Sequence, residues 1–390
     1  MPWKESDVKS ERISFVVRAR QPGYKMSALC REFGISRQTG YKWLRRSEQV
    51  GSLTELDEHS RRPYRSPNQT PIEIEQRVVA LRRLHGWAGR KLSLLLAAEG
   101  IELPRSTVDR ILKRRGLVRT GERHRPALRR FERSRPMELV QMDFKGPYRL
   151  HGGALCYPLS VLDDHSRYAL SLDALPSQHG HEVKRRLIGC FEHYGVPKAM
   201  LMDHGNPWWA TTNGHGLTRL SVFLIRQGID LIYGGIGHPQ TQGKVERFHR
   251  TLNESIRLRA QPQSLEGFQT ALDTFRQVYN QIRPHEALAD TPPAHRYRPS
   301  RKRYQSQPPE WEYPPGSEVR RLSSNGCLYE RQRYYFVCHS LDGKRVRLER
   351  FEEKILVSYR HMHVREIDLE TGRTTAVVRP ARTPKVSAMS

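Results

Sequence analysis

Long apolar runs are missing from this chain: nowhere in its 390 residues do about 18 apolar side chains follow one another, the length a helix needs to cross a bilayer. No lipidation signal opens or closes it, so no membrane partner is expected. The amino terminus, MPWKESDVKSERISF, lacks the basic-then-apolar order of a secretory signal, and a bacterial cytoplasmic, nucleoid-associated protein is the expectation. Cysteine is sparse as well. Cys30, Cys156, Cys190, Cys327 and Cys338 form no CxxC and no Cys/His pairing at zinc-finger spacing, which argues for reduced, buried thiols and against a zinc site.

Acidic residues are the other shortage. Against 41 Asp and Glu stand 67 Lys and Arg, a formal charge of +26, far more than solubility requires. A polyanionic partner follows, and without a membrane signature nucleic acid is favoured. The hydrophobic fraction of 37% still supports packed cores and argues against wholesale disorder. A chain of this length is expected to fold as two to four domains.

Residues 5–50 read as a first helix-turn-helix domain. Helices over 5–19 and within MSALCREFGISRQTGYKWLRR (26–46) are broken at Gly34, with Ser36 placed as N-cap of the third. Ala28, Leu29 and Phe33 are expected to face inward, with Ile35 in the turn. Arg37, Gln38, Tyr41, Lys42 and Arg45 then lie on the helix that meets a major groove. A second helix-turn-helix is expected over 70–120. Thr70 is placed as cap of a helix opened by Pro71, Gly100 ends the next, and Pro104 starts a third that carries Arg105, Arg110, Lys113, Arg114 and Arg115. Between the two runs HSRRPYRSPNQT, 59–70, whose Arg61 and Arg62 suit a minor groove, although a solvated linker fits the same composition.

From 136 to about 300 the texture becomes α/β. Short apolar runs (ELVQMDF, ALCYPLSVL, RYALSLDAL, KAMLMD) alternate with helical stretches at 179–194, at 216–228 and from Gln242 to about Arg259. Residues 316–372 alternate apolar with polar and are expected to form a small antiparallel β-barrel, with turns at Asn325-Gly326 and Asp342-Gly343. Residues 374–390 read as a disordered tail.

Three acids stand out by position. Asp143 lies inside the first strand of the α/β region. Asp203 ends the fourth, where ligands of open α/β sheets gather. Glu246 opens the helix after the loop GGIGHPQTQG, among Lys244, Arg247 and Arg250. Oxygen-only donors without His or Cys suit hard Mg²⁺, with Mn²⁺ as a substitute, and a two-ion site activates the attacking oxygen while stabilising the leaving one. The cations beside Glu246 would hold DNA phosphates.

The strings QMDFKG, VLDDHSRYAL, LMDHGNPW and GHPQTQGKVERFHRTLN, in that order, resemble the catalytic core of retroviral integrases and insertion-sequence transposases. With HGWAGRKL, STVDRILKRRGL, YNQIRPHEAL and TPPAHRY, the chain from about 10 to 370 resembles the insertion sequence 481 family. The resemblance implies an RNase-H-like integrase core. It implies an Asp-Asp-Glu triad at Asp143, Asp203 and Glu246, binding to terminal inverted repeats, 3′-end cleavage and strand transfer into target DNA. It also implies that Gln242 lies beside the scissile phosphate, with Lys244, Arg247 and Arg250 facing DNA. Two double-stranded DNA ends must meet, which favours a homodimer or tetramer.

Two departures stand out: Asp203 is followed by His204-Gly205 rather than Asn-Gly, and 42 residues separate Asp203 from Glu246, more than the compact spacing of the superfamily. The pair Asp163-Asp164 reads as structural, in a turn between strands. His238 reads as a loop cap or DNA contact, without the partners a zinc site needs. Trp208 and Trp209 read as packing residues, with base stacking as the alternative. The competing function is a DNA-binding regulator whose integrase core is catalytically idle.

Overall fold

The computed structural model describes residues 7–50, 56–57, 69–118, 132–211, 216–234, 243–257 and 264–381. The chain divides into two compact units, Met1–Thr70 and Pro71–Ser390.

In the first unit α1 (Val8–Ala19), α2 (Met26–Glu32) and α3 (Arg37–Val50) close over Phe15, Val16, Leu29, Cys30, Trp43 and Leu56. Gly34, at φ 64°, ends α2, and the Thr39 amide donates to Ser36 Oγ at 3.1 Å. That bond caps α3 in place of a missing helical acceptor. The inward set differs from expectation: Leu29 and Cys30 are buried, Phe33 is half-buried and Ala28 faces solvent.

The second unit opens with α4 (Ile72–His85), α5 (Gly89–Ala98) and α6 (Arg105–Arg114), packed around Val78, Leu81, Leu92, Leu96, Val108 and Ile111. Pro71 itself occupies the N-cap position of α4, so Thr70 does not cap that helix. Pro104 precedes α6 as expected.

A mixed sheet follows. Its strands are β1 (Val140–Phe144), β2 (Tyr148–Arg149), β3 (Leu155–Asp163), β4 (Ala169–Leu175), then α7 (Gly180–Tyr194) and β5 (Ala199–Met202). After the short pair β6 (Trp209–Ala210) and β7 (Gly216–Leu217) come α8 (Arg219–Arg226), β8 (Asp230–Tyr233), α9 (Gly243–Ile256), α10 (Leu265–Gln281) and α11 (Pro293–Arg296). The order is β2-β3-β1-β5-β8 with β4 on β3; β1 runs antiparallel to β3 and parallel to β5, and β5 parallel to β8. Side chains alternate along each strand. On β1, Val140 and Met142 therefore join the core that contains Val183, Leu187 and Leu224 of α7 and α8. Gln141 and Asp143 take the opposite side, toward α9.

The C-terminal strands are β9 (Glu318–Arg321), β10 (Cys327–Glu330), β11 (Arg333–Phe336), β12 (Arg345–Phe351), β13 (Lys354–Tyr359), β14 (Met362–Asp368) and β15 (Thr374–Pro380). Five of them form one antiparallel sheet in the order β15-β14-β13-β12-β9, and β10 pairs with β11. Its edge strands β9 and β15 do not join, so the sheet is open and the expected barrel does not close. Residues 374–380 pair with β14 instead of forming a tail. That pairing continues the alternation Thr374-to-Pro380 against Met362-to-Ile367. Residues 382–390 lie outside the described residues. Among the described residues no helix is long and apolar enough to cross a membrane.

Candidate active site at the carboxyl ends of the central strands

Asp143 is the fourth residue of β1 and sits opposite Ser160 of β3. Its carboxyl is pushed up to about 7, first by burial and then by the negative charge of Asp203; the Phe144 amide opposes this, Glu246 adds to it and Lys145 opposes it. Asp203 and Glu246, from segments far apart in sequence, therefore lie close enough for Asp143 to feel both charges. Both are exposed.

Asp203 follows the last residue of β5. Its Oδ1 accepts from the Gly205 amide at 3.0 Å and from Trp208 Nε1. A Cβ at position 205 would stand 3.0 Å from both carboxylate oxygens, so a larger residue there would push the Asp203 carboxylate aside by a few tenths of an ångström. Trp208 is buried and stacks on Phe144, the neighbour of Asp143, at 5.4 Å. The tryptophan thus packs rather than presenting a face to a base, and it ties the Asp203 turn to β1. Trp209 and His204 pack edge to face at 4.7 Å, and Tyr233 lies 4.8 Å from Trp209.

Glu246 lies in the first turn of α9, whose Val245, Phe248, His249 and Leu252 are buried. One turn on from Glu246, His249 bridges side chains of the paired β1 and β3: Nε2 lies 2.9 Å from Ser160 Oγ and Nδ1 3.8 Å from Asp143 Oδ2. Burial, then Lys145, pushes the imidazole down to about 3, so the ring is neutral at pH 7. Nothing in its spacing distinguished His249 from its basic neighbours in the sequence.

Lys244 takes a different path from the one expected. It turns inward and pairs with Asp164, which is fully buried. Burial and then Arg167 push its ammonium down to about 8, while Asp164 opposes them. Asp164 also accepts from Gln141 Nε2 at 3.0 Å and from the Arg133 amide at 2.8 Å, and Gln141 Oε1 accepts from the Val245 amide at 3.2 Å. Its neighbour Asp163 accepts from the Met137 amide at 2.7 Å and the Ser166 amide at 2.8 Å. Both acids of the pair are structural anchors. Lys244 supplies Asp164 with the counter-charge that a buried carboxylate needs.

Arg247 and Arg250 are exposed on α9, as are Arg37, Gln38, Tyr41, Lys42 and Arg45 on α3 and Arg105, Arg110 and Lys113 on α6. Arg114 and Arg115 are drawn to the buried Glu75, the latter at 3.0 Å. Arg61, Arg62, His238 and Gln242 lie outside the described residues.

The donor set suits a hard divalent ion, since an ion would cancel the repulsion that raises Asp143. The closure does not yet match: among the described residues no three acidic, His or Cys side chains are grouped tightly enough to hold a metal. Asp143, Asp203 and Glu246 are the residues that would hold one.

Comparison with known proteins follows the same division. The family model of an integrase core domain matches residues 227–293, which include Glu246 but neither Asp143 nor Asp203. Models of a homeodomain-like domain match 6–56 and 39–112. A Gag-Pol polyprotein of baboon endogenous virus (strain M7) is 24% identical over 220 residues, covering 54% of this chain and 12% of the polyprotein. The chain thus spans about an eighth of that relative's length. Among solved structures, the HTLV-2 integrase catalytic core domain in complex with magnesium has 14% identity and TM-score 0.33, covering 42% of this chain and 97% of that one. A simian T-cell lymphotropic virus intasome in complex with PP2A regulatory subunit B56 gamma has 13% identity and TM-score 0.35, covering 79% of this chain and all of that one. An integrase core domain and homeodomain-like domains are thus what separate segments of this chain are similar to.

Proposed function

We propose that the chain is an insertion-sequence transposase, of the insertion sequence 481 type, that binds the terminal inverted repeats of its element, cleaves their 3′ ends and joins them to target DNA. The observation that carries this reading is that Asp143 feels the negative charge of both Asp203 and Glu246 at one end of the sheet. Three carboxylates gathered in this way, in a strongly basic protein, make sense as ligands of a cation that meets phosphate oxygens.

Asp143, Asp203 and Glu246 would hold Mg²⁺, or Mn²⁺ in its place. Bound there, the metal supplies an activated oxygen nucleophile and stabilisation of the leaving oxygen. The chain's own residues do the placing. Trp208 and the Gly205 amide orient Asp203, His249 backs Asp143, and Arg247 and Arg250 face outward to meet the phosphate backbone. The exposed cations of α3 and α6 supply the contacts to the element's ends. Because two ends must be brought together, a dimer or tetramer in the bacterial cytoplasm fits the chemistry. An idle regulator is not favoured, since all three acids are retained.

The test uses the purified chain, Mn²⁺ and duplexes carrying the inverted repeats that flank its gene. Asp143→Asn, Asp203→Asn and Glu246→Gln each abolish cleavage and strand transfer and leave repeat binding within about twofold. Robust cleavage by any of the three overturns the assignment.

A further inference from the structure

At the other pole of the sheet the described residues enclose a cleft of about 750 Å³. Its floor is the amino ends of the parallel strands: Met137 precedes β1, Lys198 immediately precedes β5 and Gly228 precedes β8. Its wall is the segment 298–302, which is bonded into the core. The Val196 amide donates to Lys302 O at 2.7 Å, Ser300 Oγ to Val196 O at 2.7 Å, and Lys302 Nζ to Gly228 O at 2.8 Å. Gly195, at φ 79°, makes this approach possible, because a Cβ there would lie 2.6 Å from Ser300 O.

The rim of this rigid hollow is basic. Arg135, Lys198, Arg298 and Arg301 are all exposed, and among the described residues none has a carboxylate within salt-bridge distance. Glu138, the one acid of the lining, accepts from Ser134 Oγ at 3.1 Å. Positive charge is therefore concentrated on a fixed concave face where, among the described residues, Glu138 is the single carboxylate against five cations. Among the described residues no aromatic side chain lines the cleft, so none of them offers a base a face to stack on. Cations spread along a rim suit a backbone of regularly spaced phosphates better than a single small anion.

We infer that this cleft is a second, sequence-independent DNA-binding surface that grips the phosphates of a duplex segment other than the one cut. The inference rests on the reading of the chain as a DNA-processing enzyme. The separation follows from the strand: β5 has 4 residues and rises about 3.3 Å for each, so Lys198 and Asp203 stand roughly 13 Å or more apart. One phosphate cannot serve both poles.

The test is a salt titration of the full chain on a duplex without terminal repeats, comparing the parent with Lys198→Glu/Arg298→Glu/Arg301→Glu. All three side chains face solvent, and a thermal melt checks that the fold is kept; the Gln triple variant serves if the Glu variant melts early. Each lost phosphate contact lowers the slope of log K against log salt by about 0.9, so a fall of about 2 to 3 is expected. An unchanged slope overturns the proposal. So does a variant that keeps its DNA slope but no longer binds polyglutamate, which assigns the cleft to an acidic protein. Cleavage of short repeat oligonucleotides by the same variant, expected to stay near the parent rate, separates failure here from failure of the transposase reading.

Discussion

Gln141 and Lys244 donate to the same oxygen, Oδ1 of the fully buried Asp164. Each stands two residues before a member of the proposed triad: Gln141 before Asp143 on β1, Lys244 before Glu246 on α9. The shared carboxylate therefore fixes α9 against β1 at the level where the two acids must face one another. The Val245 amide on Gln141 Oε1 adds a third tie across the same gap.

Removing the lysine leaves a buried charge without its cation. Breaking such a pair from one side costs about 3–5 kcal/mol. Lys244→Met is expected to lower the unfolding free energy by about that much, and Asp164→Asn in the Lys244→Met background to recover part of it. Urea unfolding of the two singles and the double, read as a cycle, measures the coupling. A loss below about 1 kcal/mol for Lys244→Met would mean the lysine behaves as a surface residue.

The raised Asp143 carboxyl carries a second expectation. An acid whose folded pKa lies above its unfolded value favours the fold at low pH, and that advantage is lost as pH rises from about 4 through about 7. In metal-free buffer Asp143→Asn is thus expected to melt higher than the parent at pH 8 and no higher at pH 4. Added Mn²⁺ should raise the parent melting temperature by mass action and leave that of the variant nearly unmoved. Equal responses to Mn²⁺ in both proteins would remove Asp143 from the metal site.

Much of this was legible in the sequence because its signals are local. The helix-turn-helix of the first unit is announced by Gly34 and Ser36, whose turn and cap depend only on neighbouring residues. The β1 and β5 strands of the central sheet are marked by apolar runs that end on Asp143 and Asp203. What was not legible depends on partners distant in the chain. Lys244 looks like any other base beside Glu246 until β3 brings Asp164 under it. Arg114 and Arg115 look like DNA contacts until α4 offers Glu75. The turn between β10 and β11 is made by Arg331 and Gln332, both at positive φ, a conformation those residue types do not advertise. Closure of a barrel is likewise a property of strand order, which alternation along single strands does not encode.

On the first unit, the exposed row Arg37, Tyr41, Lys42 and Arg45 stands over the buried Trp43, whose ring lies 4.1 Å from the Arg12 guanidinium. A buried aromatic base under exposed cations suits a helix that reads a groove. Arg37→Ala is expected to weaken binding to the terminal repeat by about 1–3 kcal/mol if it meets a base edge. Lys42→Ala, as a phosphate contact, is expected to weaken all duplexes alike and to lower the salt slope by about 1. Gel-shift titrations at several salt concentrations decide between these roles, and a flat salt response for the parent would exclude α3 as a DNA-binding helix.

Within the second unit, Lys91 of α5 sits in a crowd of positive charge. Burial pushes its ammonium down to about 7, helped by Arg283 and Arg247 and opposed by Glu254 and Glu286. The sign follows from the two pKa values. Unfolded, the lysine titrates near 10.5; folded, it resists the proton, so stability falls as pH drops from that value toward 7 and stays low below it. Lys91→Met keeps the packing and removes the charge. The variant should therefore gain stability over the parent at pH 6, with a ceiling of about 5 kcal/mol from about 1.4 kcal/mol for each pH unit, and the gain should shrink toward pH 10. Paired urea melts at pH 6, 8 and 10 measure it. If Lys91→Met is instead the less stable protein at pH 6, Glu254 and Glu286 hold the ammonium as a true ion pair, and α5 is fastened to the core by charge rather than by apolar contact.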